Sequence, residues 1–176
     1  MALSRTLLRT HALQRSPRPS RVLHATNERL LADSQAEMFV TVFFGILDPA
    51  SGTLTYGNAG HNPPYLLRAA GGEPTMLPAT GAPLGYLDDV EWGEESVQLA
   101  PGDTLVSYTD GVTEAEDGQG GFFGQERLLE LLQAHQGVAP AELERTVLGV
   151  VGDFRGACPQ TDDITLIVIQ REPGGA

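Results

Sequence analysis

The sequence predicts an α+β layered domain built on antiparallel sheet, and three observations predict it. Apolar runs of strand length follow one another through short turns rich in Gly, Pro and Asp, as antiparallel neighbours do. Helical apolar spacing is gathered in two blocks, one ahead of the first strand and one ahead of the last. The strand–helix–strand alternation that builds a doubly wound parallel sheet is missing. A chain of 176 residues is long enough for one domain with its own core, expected over residues 1–171, followed by a short disordered tail at 172–176.

Residues 3–14 place Leu3, Leu7, Leu8 and Leu13 near helical spacing and read as an amphipathic helix. Ser16-Pro-Arg-Pro-Ser20 breaks it and starts a second, striped by Val22, Leu23, Thr26, Leu30 and Leu31, that ends near Asp33. Met38 to Leu47 is apolar on both faces, the pattern of a central strand covered on each side. Asp48-Pro-Ala-Ser-Gly52 is turn chemistry, and Thr53 to Asn58 alternates as the returning hairpin strand. A short strand through Tyr65–Arg68 follows. Residues 69–90 read as loop, with Gly81-Ala-Pro-Leu-Gly85 as a shaped turn. Trp92 to Leu99 gives another strand, Ala100-Pro-Gly-Asp103 a tight turn, and Leu105–Tyr108 a buried strand that stops at Asp110-Gly111. Helices are expected over 125–135 and from Pro140, well suited to the first helical position, to Phe154. Ile164 to Ile169 is the last strand.

Charge and composition exclude several functions. The net charge is −12, yet residues 1–30 hold six Arg against Glu28, a local +5 that leaves −17 for the rest. An acidic body of that size opposes nucleic-acid binding, which needs clustered positive charge, and suits a site that gathers cations. The Arg-rich start also imitates a transit peptide, but its leucine spacing and its continuity with the second helix favour a structural helix. No apolar run reaches 18 residues, so no membrane span is expected. The single Cys158 fits a reducing, cytoplasmic setting.

Asp110 and the pair Asp162-Asp163 are the candidate metal ligands. Both stand beside strands that the topology can bring together, and their carboxylate oxygens suit Mg²⁺ or Mn²⁺. Neighbouring side chains of an extended segment diverge, so only one of Asp162 and Asp163 is expected to face a site shared with Asp110. Taken alone, each motif has a plainer reading: Asp110 as a turn residue capping local N–H groups, Asp162-Asp163 as solvated acids, Thr113 and Glu114 as helix-start residues. His61, in Ala-Gly-His-Asn-Pro, reads best as a residue that pins its loop by hydrogen bonds. No Gly-x-Ser-x-Gly elbow, Walker-type loop or Cys/His zinc spacing is present.

Six motifs in register carry more than any one of them. Met38-Phe-Val-Thr, Tyr56-Gly-Asn-Ala-Gly-His-Asn-Pro-Pro64, Gly81-Ala-Pro-Leu-Gly85, Ser107-Tyr-Thr-Asp-Gly-Val-Thr-Glu-Ala115, Phe123-Gly124 and Asp162-Asp-Ile-Thr165 together resemble the stage II sporulation protein E-like branch of the PPM-type, metal-dependent serine/threonine phosphatases. The resemblance implies an antiparallel β-sandwich flanked by helices in α-β-β-α layers, with two Mn²⁺ or Mg²⁺ ions at one end. It implies metal ligation by Asp110 and Asp162, with Asp163 as a supporting neighbour, and a metal-activated water as the nucleophile with no covalent intermediate. It implies a phosphorylated regulatory protein as substrate, such as an anti-sigma-factor antagonist in bacterial sigma factor regulation.

The departure is at the start. The family carries two earlier strands and an Asp-x-x-Gly-His-Gly motif whose acid bridges both metals, and no such motif occurs in residues 1–37. The expectation is an N-terminally incomplete fold with an incomplete two-metal site and impaired hydrolysis. Two alternatives follow: a non-catalytic module that binds such a partner, and self-association through an exposed sheet edge to give a homodimer.

Overall fold

Every ladder between strands is antiparallel, in two sheets that belong to two compact units. The computed structural model describes residues 2–13, 18–33 and 39–172. Residue 1, residues 14–17, which include Ser16 and Pro17 of the expected helix break, residues 34–38, which include Met38, and residues 173–176 of the expected tail lie outside the described residues. Among the described residues no helix is long and apolar enough to cross a membrane.

The first unit comprises Met1–Pro63 and Pro78–Gln98. It holds α1 (Ala2–Ala12), α2 (Pro19–Asp33), β1 (Val42–Asp48), β2 (Thr53–Ala59) and β5 (Glu95–Gln98), with the sheet ordered β1-β2-β5. The hairpin turn forms as its composition demands: Asp48 accepts the Ala50 N–H at 3.0 Å and the Ser51 hydroxyl at 2.7 Å, while Gly52 takes a φ of 79°. Helix α2 buries Val22, Leu23 and Leu30. It lies so close to β2 that a β-carbon at Gly57 would sit 2.7 Å from the Leu23 side chain. Its first turn is held from far along the chain by Glu94, whose carboxylate accepts the Ser20 N–H, the Ser20 hydroxyl and the Arg18 guanidinium.

The run Met38–Leu47 is not a central strand. Both of its faces do find partners, as the pattern requires: Val42 and Phe44 pack on the cluster around Leu23 and Trp92, and Phe43 stacks on Tyr56 at 5.1 Å. Laterally, however, β1 pairs among the described residues with β2 alone, Val40 ahead of it makes one antiparallel bridge to Leu84, and β2 takes the centre. Side-chain periodicity reports which faces are covered and says nothing about how many strands lie alongside.

The second unit comprises Pro64–Leu77 and Leu99–Ala176. Its sheet is ordered β4-β3-β6-β7, with β3 (Tyr65–Leu67), β4 (Thr75–Met76), β6 (Thr104–Tyr108) and β7 (Leu166–Gln170). Strand β4 falls inside the stretch read as loop, and β7 begins two residues later than the apolar run Ile164–Ile169. One face of the sheet carries α4 (Gly124–Ala134) and α5 (Pro140–Arg155), whose Leu128, Leu132, Leu143, Val147 and Val151 join Tyr65, Val106 and Tyr108 in the core. The turn before β6 is locked by Asp103, only 2% exposed. It accepts the Ala69 N–H, the Arg68 guanidinium and the Ala100 N–H, each within 2.9 Å. Burial alone would raise the Asp103 carboxyl; these donors outweigh it and hold it below the usual carboxylate range.

Candidate metal centre

Antiparallel pairing of β6 with β7 decides where the candidate ligands meet. Tyr108 stands opposite Leu166, so the end of β6 and the start of β7 share one rim of the sheet. The ladder runs one step further, with the Thr109 N–H donating to the Thr165 carbonyl at 3.0 Å. Asp110 follows at once, and Asp162 and Asp163 lie just ahead of Thr165. This register puts Asp110 and the main chain of 162–163 at the same rim, with the carbonyls of Asp162 and Asp163 against Gly111.

At Asp110 the chain turns into a single helical turn, α3 (Asp110–Thr113). Val112, fully buried in the core of this unit, anchors the turn. The Asp110 carbonyl accepts the Glu114 N–H at 2.7 Å and the Thr113 hydroxyl at 3.2 Å, so Thr113 and Glu114 serve this turn rather than starting a longer helix. The Asp110 carboxylate, exposed at the rim, accepts its neighbour's N–H from Gly111 at 3.1 Å. Asp162, also exposed, accepts the Asp163 N–H at 2.7 Å through one oxygen, and its carbonyl accepts the Gln160 amide at 2.8 Å. Asp163 is exposed as well, and its main-chain carbonyl is what contacts β6, accepting the Thr109 hydroxyl at 2.9 Å.

Gly111 brings the two segments into contact. Its φ lies outside the left-handed region, so conformational freedom is not what the position requires; space is. A β-carbon there would lie 2.6 Å from the Asp163 carbonyl oxygen and 3.4 Å from that of Asp162. Sequence reasoning singled out neither Thr109 nor the reason for Gly111. The signal available was the Thr-Asp-Gly triple at a strand end, which says nothing about a segment more than 50 residues away.

The donor set fits a hard divalent cation in kind. Each of Asp110 and Asp162 keeps one carboxylate oxygen without a hydrogen-bond partner among the described residues, and neither is ion-paired there. Two carboxylates with the remaining positions filled by water are enough to hold one Mg²⁺ or Mn²⁺. A closed two-ion cluster needs more. Among the described residues no group of three or more His, Cys, Asp or Glu side chains is placed to hold a metal.

The remaining motifs shape loops. In the first unit, the buried Asn58 accepts the His61 N–H at 2.8 Å and donates to the His61 carbonyl at 3.0 Å. Its own carbonyl accepts the N–H groups of Thr80 and Gly81. The loop containing His61 is thus pinned, with Asn58 supplying the pins and the His61 ring 3.3 Å from the Thr41 hydroxyl. Gly81 lies against Trp92, where a β-carbon would come within 2.5 Å of the indole. In the second unit, Phe123 is buried and edge-on to Phe154, and Gly124 takes the φ of 82° that opens α4.

Comparison with known proteins places the chain in a family. The model of the family described as stage II sporulation protein E (SpoIIE) matches residues 1–172. Protein IcfG of Synechocystis is 37% identical over 134 residues, covering 76% of this chain and 21% of that protein. Phosphoserine phosphatase RsbU of Bacillus subtilis is 30% identical over 157 residues, covering 88% of this chain and 45% of that protein. The chain therefore spans less than half the length of either relative. Among solved structures, the SiaA-PP2C domain of Pseudomonas aeruginosa superposes with a TM-score of 0.82 at 23% identity, covering 96% of this chain and 66% of that one. That likeness establishes the shared fold, antiparallel sheets carrying helices. With the family match running almost from end to end, the chain belongs to the stage II sporulation protein E family of PPM-type phosphatases.

Proposed function

We propose that residues 1–171 belong to a phosphatase domain that hydrolyses phosphoserine or phosphothreonine on a regulatory protein of the cytoplasm. An anti-sigma-factor antagonist is the class of partner we assign. The observation that carries the reading is the placement of Asp110 and Asp162 at one rim, both exposed and each with one carboxylate oxygen unpartnered among the described residues. Kinship with a relative named a phosphoserine phosphatase supports it.

The two carboxylates would hold a Mn²⁺ or Mg²⁺ ion through their free oxygens. When bound, the ion supplies charge neutralisation at the phosphoryl group and a water of lowered pKa. The hydrolysis forms a bond from water oxygen to phosphorus and breaks the bond from phosphorus to the serine oxygen, which leaves as the hydroxyl once protonated. Asp110 and Asp162 act by position and charge, and their exposure leaves room for a phosphorylated side chain presented by another protein. Asp163 supports the site through its carbonyl.

Residues 1–176 alone supply two ligands where the family's cluster uses a bridging acid in addition. We therefore assign this polypeptide weak Mn²⁺ binding and hydrolysis of a phosphoserine peptide near background. Fusing a relative's Asp-x-x-Gly-His-Gly segment ahead of Met1 is expected to raise Mn²⁺-dependent turnover, and Asp110→Asn to abolish it. Robust Mn²⁺-dependent turnover by 1–176 itself would refute the impairment; turnover by the fusion that survives Asp110→Asn would refute the site. A second reading, a non-catalytic module that grips a phosphorylated partner, is favoured by the want of a third ligand among the described residues. Metal-independent binding of that partner by 1–176, with no turnover by the fusion, would select it.

A further inference from the structure

The geometry points to Thr109 as the positioning residue of the metal site, a role that rests on the reading of Asp110 and Asp162 as ligands. Its side chain hydrogen-bonds to neither carboxylate among the described residues. It ties together the two chain segments that carry them.

The hydroxyl of Thr109 donates to the Asp163 carbonyl at 2.9 Å and accepts the Thr165 N–H at 2.8 Å, while its own N–H donates to the Thr165 carbonyl at 3.0 Å. The ordinary strand ladder ends with Tyr108 opposite Leu166, so beyond that pair these three bonds hold the 162–165 segment to β6. One residue supplies all three, and two of them pass through a single hydroxyl. Gly111 completes the seat from the other side by leaving room for the carbonyls of Asp162 and Asp163.

The consequence concerns affinity. Asp162 reaches the site from a segment whose hydrogen bonds to the end of β6, among the described residues, all pass through Thr109, with Gly111 in close contact and Ile164 packed on the core. Without the hydroxyl, the Thr165 N–H and the Asp163 carbonyl turn to water, the main-chain bond from the Thr109 N–H to the Thr165 carbonyl remains, and Asp162 is held less closely to Asp110. Groups that orient metal ligands from behind typically contribute about 10- to 100-fold in affinity. A serine at 109 retains the hydroxyl; a valine keeps the branched shape and removes it.

The test uses residues 1–176 and two readouts. Amide hydrogen exchange by NMR follows Thr165, and electron paramagnetic resonance of free Mn²⁺ gives metal affinity without any turnover. In Thr109→Val the Thr165 amide is expected to exchange about tenfold faster, while amides within the β6–β7 ladder keep their rates. Mn²⁺ affinity is expected to fall about tenfold, and Thr109→Ser to restore both. An unchanged Thr165 exchange rate overturns the clamp. Faster exchange with unchanged Mn²⁺ affinity, in a chain whose Mn²⁺ binding is lost in Asp110→Asn, overturns its link to the metal. Failure of the natural chain to show any Asp110-dependent Mn²⁺ binding overturns the underlying reading of the site, and the inference with it.

Discussion

Gly111→Ala sets two physical effects against each other, so the sign of its result is informative. Gly111 lies within the helical turn α3, where alanine is intrinsically better than glycine by up to about 1 kcal/mol. Propensity alone therefore makes the variant more stable. Contact predicts the reverse. The new methyl would sit 2.6 Å from the Asp163 carbonyl oxygen, and that neighbour is backbone, not the end of a flexible side chain. Reaching an ordinary contact near 3.4 Å requires the 162–163 segment to retreat by about 0.8 Å, enough to break the 2.9 Å bond from the Thr109 hydroxyl. Overpacking costs about 1–3 kcal/mol and the lost bond about 1 kcal/mol. Against the propensity gain, the net expectation is a loss of about 1–3 kcal/mol. Urea denaturation at neutral pH reads this directly, and the same sample should show weakened Mn²⁺ binding. A variant as stable as the natural chain or more so, with Mn²⁺ affinity retained, would refute the claim that this glycine exists for close approach.

Two further outcomes follow from buried polar groups. Asp103→Asn replaces a carboxylate that receives three donors, one of them the Arg68 guanidinium, and should cost about 2–3 kcal/mol at pH 7 in urea denaturation. Because the folded carboxyl is held below its unfolded value of about 3.9, its stabilisation is complete above that pH and fades as pH falls through the folded value. The gap between natural and variant chains should therefore close only in acid below about pH 4, and a gap that closes near neutrality would contradict the assignment. Asn58→Ala removes both side-chain bonds to His61 and should cost about 1–3 kcal/mol. The carbonyl of Asn58 also holds Thr80 and Gly81 beside Trp92, the chain's single tryptophan, so a red shift of its emission is the readout; unchanged emission would show that the loop does not depend on Asn58.

The sequence made some features legible and hid others for identifiable reasons. Helix limits were readable because apolar spacing and Pro140 are local signals, and the turn at Asp48–Gly52 because its residues bond within a few positions of one another. The rim shared by Asp110 and Asp162 followed from two strand ends and antiparallel order. The place of β1 at the end of the order β1-β2-β5 among the described residues was hidden because a strand's pattern records its faces and not its lateral neighbours. Asp103 was seen as a turn residue, while the burial of its carboxylate against Arg68 depends on a partner 35 residues away. Thr109 and Gly111 were hidden in the same way. A hydroxyl that bridges to a distant backbone, and a glycine needed for space instead of conformation, look like any other residues of a strand end.

Magnitudes show why such hidden residues govern the site. Two exposed carboxylates repel one another, and in water that repulsion is about 1 kcal/mol even at 4 Å. Opposing it, Thr109 contributes three hydrogen bonds between β6 and the 162–165 segment, each about 1 kcal/mol net. The neutral contacts outweigh the charge repulsion by about 2 kcal/mol. The two chain segments are thus held at one rim by the fold itself, and under the proposed reading a cation arriving there would meet carboxylates already gathered. Had the balance been reversed, the cation would have to supply the work of gathering them, and affinity would follow ionic strength through screening of the repulsion. In the clamped arrangement, Mn²⁺ affinity should respond more strongly to removing the Thr109 hydroxyl than to neutralising Asp163, whose exposed carboxylate takes no part in the three bonds.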